Sequence, residues 1–385
     1  MRTGNEKRTG ARFGKTKAGT VFGLCPVAHV LLFSSLPVIA AFLLLRDNRD
    51  LMTYLSEKCI RPYYSAVSRV FSFTTYSAAE FIVAAFACAV LIYIILTVVL
   101  LLFKKNRLAR LYKSVITLAA TAACVYALFC LLWGVNYYSR GFPETAGISA
   151  KPVGVGELES VARYFAAVAN EYAPLVTRDQ DGRFIEDEEM IFEKSATLYA
   201  AVSREYPFLE GPFLRAKPMT FSYFMSYINF TGVFFPFTAE ANVNTDSPRC
   251  LLPATIAHEL AHQRGVAAEE EANFTAVLSC LESGEPVYCY SAALFAFIHL
   301  GNALYPVDRE AWADICAATD SRVRADLEEN SEYWARFDTK AAKVTEAFYD
   351  EFLKSYGREL GMQSYGACVD LLVAYYAGDA EAYSG

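Results

Sequence analysis

Three stretches within the first 136 residues are almost purely apolar, and each is long enough to cross a bilayer. They cover residues 27–45, 81–103 and 115–135, and a membrane helix needs about 20 such residues. Pro37 predicts a kink in the first stretch. A secretory signal peptide is the alternative for that stretch, but its apolar run exceeds the usual length of about 7–15 residues and no A-x-A site follows. We therefore expect a three-helix transmembrane region over residues 27–136.

The pattern of hydrophobic positions changes after about residue 137. Apolar residues recur at helical spacing in 157–172 and 185–206, and the chain is again helical in pattern after Pro253. Residues 218–243 are rich in Phe, Tyr, Ile and Val, which predicts one or two strands. The apolar stretch 291–304 contains His and Asn and is too short to span, so we expect a core helix. The fold class is therefore an α-helical transmembrane N-terminal region followed by a mostly α (α+β) domain over residues 137–385.

The charge distribution predicts how the chain is oriented in the membrane. The net charge is −7 with 54% hydrophobic and 20% charged residues, which argues against disorder and against a nucleic-acid partner. Residues 1–26 form a basic tail, and the connection KKNRLARLYK at 104–113 contains no acid. Basic segments next to spans stay in the cytoplasm. We therefore expect a multi-pass cell-membrane protein with a cytoplasmic N-terminus and an extracytoplasmic domain at 137–385.

The cysteines do not form a recognisable framework. There are 10 of them, without a CxxC pair, which argues against a zinc ribbon or a disulfide-dense module. Several of them could pair in an oxidising compartment, and the sequence leaves the pairing open. These are Cys59, Cys250, Cys280, Cys289, Cys316 and Cys368.

One short motif carries chemistry. Residues 258–262 are HELAH, an HExxH pattern in a segment that begins with Pro253 and ends before Gly265. On a helix, His258 and His262 lie on one face and can hold one Zn²⁺. Glu259 lies beside the first histidine, so we expect it to act as the general base that takes a proton from the attacking water.

A catalytic zinc needs a third protein ligand. A histidine at the position of Ala268 is absent, and the acids Glu269, Glu270 and Glu271 follow at once. Glu269 is the preferred ligand, because Asn273 then lies one turn further on and can support it, and Glu271 is the alternative. The simpler explanation for such acids is an acidic first helical turn that complements the helix dipole. That explanation leaves room for a ligand among the three.

Upstream residues 232–244, GVFFPFTAEANVN, have two possible roles. They form either a strand that binds an extended substrate by strand addition or a packed core strand. Tyr223, Tyr227 and His299 are conceivable partners for a developing oxyanion, although such residues are more often part of a core or a surface. The sequence does not decide between these possibilities.

The motif HELAHQRG, followed by EEEANF and preceded by GVFFPFTAEANVN and three apolar spans, resembles the bacterial membrane family called domain of unknown function 3810. That family is grouped with zincin-like metallopeptidases of the gluzincin type. The resemblance implies a zincin-like domain with His258 and His262 as zinc ligands, Glu259 as base and an acid of EEEANF as third ligand. The spacing of Glu269 and Asn273 is similar to that in other gluzincins, although the gap from His262 to Glu269 is shorter than in many of them.

The expected function is a membrane-anchored zinc-dependent metallopeptidase that hydrolyses peptide bonds through a zinc-activated water. The bilayer and a peptide or protein substrate are the expected partners. The alternative is a non-catalytic zincin-fold membrane sensor or scaffold that binds peptide or cell-envelope ligands. A transporter is disfavoured because the spans contain no charge from which to build a pathway. Cleavage within the bilayer is disfavoured because Arg249, Gln263, Arg264 and three glutamates flank the motif.

Overall fold

The computed structural model describes residues 22–148, 153–212, 214–356 and 365–384. The described chain is mostly helical with a small three-stranded sheet, and its N-terminal part contains long apolar helices. This confirms the coarse fold class. Residues 1–21 of the predicted basic tail lie outside the described residues.

The predicted spans all fall within long helices. The N-terminal helices are α1 (Pro26–Leu45), α2 (Arg49–Leu55), α3 (Arg61–Phe71), α4 (Ala78–Phe103) and α5 (Arg107–Phe129). A π turn (Ser56–Ile60) joins α2 to α3, and a second one (Cys130–Gly134) joins α5 to α6 (Val135–Tyr137). Helix α1 continues through Pro37. Helices α1 and α4 and the continuous α5–α6 segment are long and apolar enough to cross a membrane, whereas the number of spans and the topology stay predictions.

The chain divides into two compact units. The first comprises the described residues up to Leu44 together with Phe86–Leu128, and the second comprises Leu45–Ala85 together with the described residues from Phe129 onward. The second unit therefore includes α2, α3 and the start of α4, a segment that the sequence analysis had placed in the membrane region. In the first unit, polar contacts join helices: His29 Nε2 lies 2.7 Å from the Tyr112 hydroxyl, and the Thr97 and Ser114 hydroxyls lie 3.0 Å apart. Between helices that are apolar on every face, such hydrogen bonds, rather than hydrophobic burial, determine which faces meet.

The second unit is built around a buried helix. Its further helices are α7 (Phe142–Ala146), α8 (Val155–Tyr172), α9 (Glu188–Ser195), α10 (Val202–Glu205), α11 (Ser222–Tyr227), α12 (Leu252–Gln263), α13 (Glu269–Ser283), α14 (Pro286–Leu304), α15 (Arg309–Ala318), α16 (Ser321–Ala335), α17 (Lys340–Ser355) and α18 (Tyr365–Ser384). Helix α14 is enclosed by α8, α12, α13 and α18. It is apolar enough to span a membrane but is largely buried in this unit, which confirms the expected core helix.

The predicted helix at 185–206 is not continuous. Helix α9 ends at Ser195, and a 3₁₀ turn (Leu198–Ala200) separates it from α10. The Ser195 hydroxyl donates to the carbonyl of Phe192 and accepts from the amide of Ala216. Serine hydroxyls often offer the backbone hydrogen bonds that compete with those of a helix. Here the Ser195 hydroxyl does so at the end of α9 and also contacts another segment of the chain.

A small sheet lies against α12. Its strands are β1 (Lys217–Pro218), β2 (Gly232–Phe235) and β3 (Glu240–Val243), in the order β1-β3-β2. Strand β3 is central and fully buried, pairing in parallel with β1 and antiparallel with β2. Strand β2 is therefore an edge strand. The region 218–243 contains the predicted strands, but also α11, which the sequence analysis did not predict.

Candidate metal centre

Helix α12 presents the motif as its pattern predicts. Pro253 lies in the first turn, where its missing N–H costs nothing. The helix ends before Gly265, whose φ of +85° lies in the left-handed region that favours glycine. The His258 and His262 rings are 4.6 Å apart, centroid to centroid, on one face of the helix.

The turn after α12 returns the chain so that α13 begins beside the two histidines. Glu269 is the first residue of α13, and its Oε2 lies 3.2 Å from His258 Nε2 while its Oε1 lies 3.7 Å from His262 Nε2. One donor atom from each residue lies within 4.8 Å of the others. A tetrahedral zinc ion with bonds of about 2.0–2.1 Å needs ligand atoms roughly 3.3 Å apart. The spacing of Glu269 from both histidines is close to that value.

Supporting contacts orient this group. His262 Nδ1 lies 2.6 Å from the carbonyl of Val266, so Nδ1–H donates there, and Nε2 is the nitrogen that faces Glu269 and would bind a cation once it has lost its proton. The Tyr349 hydroxyl of α17 donates to Glu269 Oε1 at 2.6 Å. The Trp133 ring lies edge-on to His262, with centroids 5.5 Å apart. The sequence analysis did not identify Tyr349 or Trp133, because neither lies near the motif in the chain.

The alternative ligand, Glu271, has a different role. Its side chain is buried, and its Oε2 accepts from the amide of Phe142 at 2.8 Å. A Cβ at Gly141 would overlap the same carboxylate. Glu271 therefore ties the start of α7 to α13, and Glu269 alone among the three acids joins the histidine pair. Asn273 was expected to support Glu269, but it forms no side-chain hydrogen bond with a described residue. Tyr349 contacts Glu269 instead.

Glu259 is buried on the sheet side of α12. A Cβ on Gly232 of β2 would lie 2.5 Å from Glu259 Oε1, so the carboxylate occupies the space that the glycine leaves. Its Oε2 has no hydrogen-bond partner among the described residues. Burial raises the pKa of Glu259 to about 7, against the opposing effect of His258 and His262. A carboxylate with a pKa near neutrality can both take and give a proton.

Glu269 and His262 behave as a coupled pair. Burial opposes the charge on each, but the opposite charge of the partner outweighs burial. The pKa of His262 is raised to about 9, and the pKa of the Glu269 carboxyl lies well below its usual range. The carboxylate is therefore ionised, as a cation ligand must be.

A cavity of about 300 Å³ is lined by His258, His262, Glu269 and Glu259. The loop after α11 and strand β2 form one wall, and α17 contributes Glu346, Tyr349 and Phe352 to another. The lining as a whole is strongly aromatic. The aromatic residues are Phe129, Trp133, Tyr137, Phe230, Phe234, Tyr349 and Phe352.

The three candidate oxyanion partners do not line the cavity. Tyr223 and Tyr227 are exposed on α11, and His299 is buried in α14. Burial, together with the charge of His258, lowers the pKa of His299 to about 4. All ten cysteines, which the structure describes in full, are free thiols.

Comparison with known proteins identifies a family and no further relative. The profile described as "Protein of unknown function (DUF3810)" matches residues 56–373. No curated protein and no solved structure matches the chain. The match covers most of the chain, including α12, α13 and the cavity. The chain therefore belongs to the DUF3810 family of proteins of unknown function.

Proposed function

We propose that this protein is a membrane-anchored zinc-dependent metallopeptidase with a zincin-like site. The observation that carries the proposal is the meeting of His258, His262 and Glu269 beside the buried carboxylate of Glu259. In the proposed arrangement the N-terminus is cytoplasmic, the chain spans the membrane three times, and residues 137–385 lie outside the cytoplasm.

The side chains fit Zn²⁺ in number, type and orientation. Two imidazoles and one carboxylate form a common set of catalytic zinc ligands. His258 and His262 would bind through Nε2, and Glu269 through its carboxylate, with Tyr349 holding that carboxylate in place. When bound, zinc lowers the pKa of a water molecule and polarises the scissile carbonyl.

Glu259 is the residue that moves the proton. Its Oε2 is buried without a protein hydrogen-bond partner among the described residues, and in the proposed mechanism it would accept a proton from the attacking water. The same oxygen then returns the proton to the leaving nitrogen, which a group with a pKa of about 7 can do. Gly232 keeps space for this carboxylate, and the carbonyl of Val266 keeps the His262 ring in one orientation.

Strand β2 supplies a surface for an extended peptide. It is the edge of the sheet, it lines the cavity, and its Val233 side chain is exposed. A peptide that adds to this edge gains backbone hydrogen bonds while alternate side chains enter the cavity. The aromatic lining favours a bulky apolar side chain near the scissile bond.

The test uses the full-length chain purified in detergent, with the metal content measured by elemental analysis and hydrolysis measured on a peptide library. Glu259→Gln should retain zinc but lose activity by roughly 10²- to 10⁴-fold, because only the proton transfer is removed. The matched control is Glu282→Gln, an exposed acid on the helix that carries Glu269. Full activity of Glu259→Gln would refute the mechanism. Zinc retention in a wild-type chain that hydrolyses no peptide would favour the non-catalytic sensor.

A further inference from the structure

Helix α11 has the reverse of the usual amphipathic pattern. Its buried face carries Ser222 and Ser226 beside Met225, whereas its exposed face carries Tyr223, Phe224 and Tyr227. The fractional exposure of Tyr223 is 67% and that of Phe224 is 59%. A helix on a water-facing surface normally places aromatic residues inward and serines outward.

The buried serines are well satisfied, so this orientation is built into the fold. The Ser226 hydroxyl hydrogen-bonds to the Tyr333 hydroxyl and accepts from Asn244 Nδ2 at 2.8 Å. The Ser222 hydroxyl donates to the carbonyl of Met219 and accepts from the amide of Thr245. Rotating α11 to hide its aromatic residues would break these bonds and leave buried polar groups unpaired.

The aromatic surface is continuous with the start of an apolar helix. Phe221 directly precedes α11, and Phe81 lies in the first turn of α4. Their ring centroids are 6.2 Å apart. The Glu80 carboxylate accepts from the amides of Thr220 and Phe221, which fixes α11 to this part of α4. Exposed Phe81, Ile82 and Val83 extend the apolar surface along α4.

Further exposed aromatic residues lie just before α4. Phe73 and Tyr76 are both exposed in the connection between α3 and α4. Phenylalanine and tyrosine thus gather at the N-terminal end of a helix that is long and apolar enough to cross a membrane. Aromatic residues with a polar hydroxyl are characteristic of the boundary between lipid headgroups and acyl chains.

We infer that Phe221, Tyr223, Phe224 and Tyr227 form a lipid-facing surface that inserts into the headgroup region of the bilayer. We call it the α11 surface. A soluble partner protein is a weaker occupant, because the α11 surface joins residues that α4 itself presents to lipid. Adjacent exposed aromatic residues on a folded unit mark an interaction site rather than an ordinary surface.

The inference also locates the cavity. Tyr227 is followed directly by Ile228, Asn229 and Phe230, which line the cavity wall. With the α11 surface in the headgroups, this wall lies at the membrane boundary. The placement follows from contacts within the second unit and does not depend on zinc or on hydrolysis.

The experiment measures the depth of a single side chain. We would reconstitute the full-length Phe224→Trp variant into phosphatidylcholine vesicles whose acyl chains carry bromine near the carbonyl or near the chain end. The signal of the wild type, with its 3 tryptophans, is subtracted. We expect the introduced tryptophan to lose about half of its emission with bromine near the carbonyl, because interfacial residues lie about 5–10 Å into the bilayer. Bromine at the chain end should quench it less.

The matched control is Tyr305→Trp, at a tyrosine that is 49% exposed and lies outside the α11 surface. Its emission should not respond to either bromine position. Equal quenching at the two positions would overturn the inference. It would also be overturned if the tryptophan introduced by Phe224→Trp were unquenched and its emission depended on the ratio of protein to lipid, since that result indicates contact with a second copy. Neither readout depends on catalysis, so a failure here is distinct from a failure of the peptidase proposal.

Discussion

Two buried glutamates of the second unit show opposite uses of a carboxylate. Glu240 of β3 has both oxygens occupied: Oε1 accepts from the amide of Ala78 at 3.2 Å and from Lys217 Nζ, and Oε2 accepts from the amide of Ala79 at 2.8 Å and the Thr238 hydroxyl at 2.7 Å. Glu259 of α12 is equally buried and lines the cavity, but its Oε2 has no hydrogen-bond partner among the described residues.

The difference separates the structural role of Glu240 from the proposed catalytic role of Glu259. A buried charge is stable only when donors surround it, and Glu240 meets this condition by linking β3 and β1 to the start of α4. A buried carboxylate with a free oxygen is costly, and folded proteins keep such groups mainly where they act on a ligand. Glu240 therefore stabilises the fold, whereas Glu259 keeps an unpaired oxygen that the proposed proton transfer would use.

The largest expected effect is the loss of folding stability in Glu240→Ala. Removing this carboxylate leaves the Lys217 ammonium buried without its partner, and breaking one side of a buried pair costs about 3–5 kcal/mol. The midpoint temperature of thermal unfolding in detergent should fall strongly. The control is Glu159→Ala, which removes a half-exposed ion pair with Arg163 and should lower that temperature little. Equal shifts in the two variants would contradict the structural role of Glu240.

A smaller effect should come from Gly232→Ala, which disturbs Glu259 without replacing it. The new Cβ would lie 2.5 Å from Glu259 Oε1 and must displace the carboxylate. A displacement of about 1 Å in a catalytic group costs roughly 10²-fold in rate, so hydrolysis should fall by that factor while zinc content stays unchanged. Gly156→Ala in α8, where a Cβ meets nothing within 4 Å, is the control. Loss of zinc from Gly232→Ala would show that the residue supports the ligands instead.

The smallest effect should come from Tyr349→Phe, which removes one hydrogen bond to Glu269 and leaves all three proposed zinc ligands. Loss of such a supporting contact lowers metal affinity by about 10- to 100-fold, and we expect the lower end because His262 keeps its bond to Val266. Competition with a chelator would measure the change. Tyr227→Phe, on the exposed face of α11, should leave the affinity unaltered, and an unaltered affinity in Tyr349→Phe would exclude the supporting role.

The parts of the site that the sequence could predict are those set by local geometry. The HExxH spacing places His258 and His262 on one helix face, and the glycine at 265 with the acids after it predicts the turn and helix that bring in Glu269. Glu271 was separated from Glu269 only by a contact with Phe142, more than a hundred residues away. Tyr349 and Gly232 likewise approach through tertiary packing, which leaves no spacing signal.

Helix α11 was missed for a related reason. Its sequence, SYFMSY, is aromatic and lies in a segment with strand-like composition, so local propensity favours a strand. The serine contacts to Tyr333 and Asn244 that stabilise the helix come from distant segments. Its outward aromatic face is therefore visible only in the folded structure.

All three donor residues of the metal centre come from the continuous stretch 258–269, separated by one glycine turn. Closing so short a loop costs little chain entropy, and contacts of such low sequence separation form early in folding. In the proposed zinc site, this segment alone supplies all three ligand atoms, whereas the distant β2 and α17 complete the cavity. Under the proposed function, metal binding would depend mainly on residues 258–269, whereas hydrolysis would require the whole second unit.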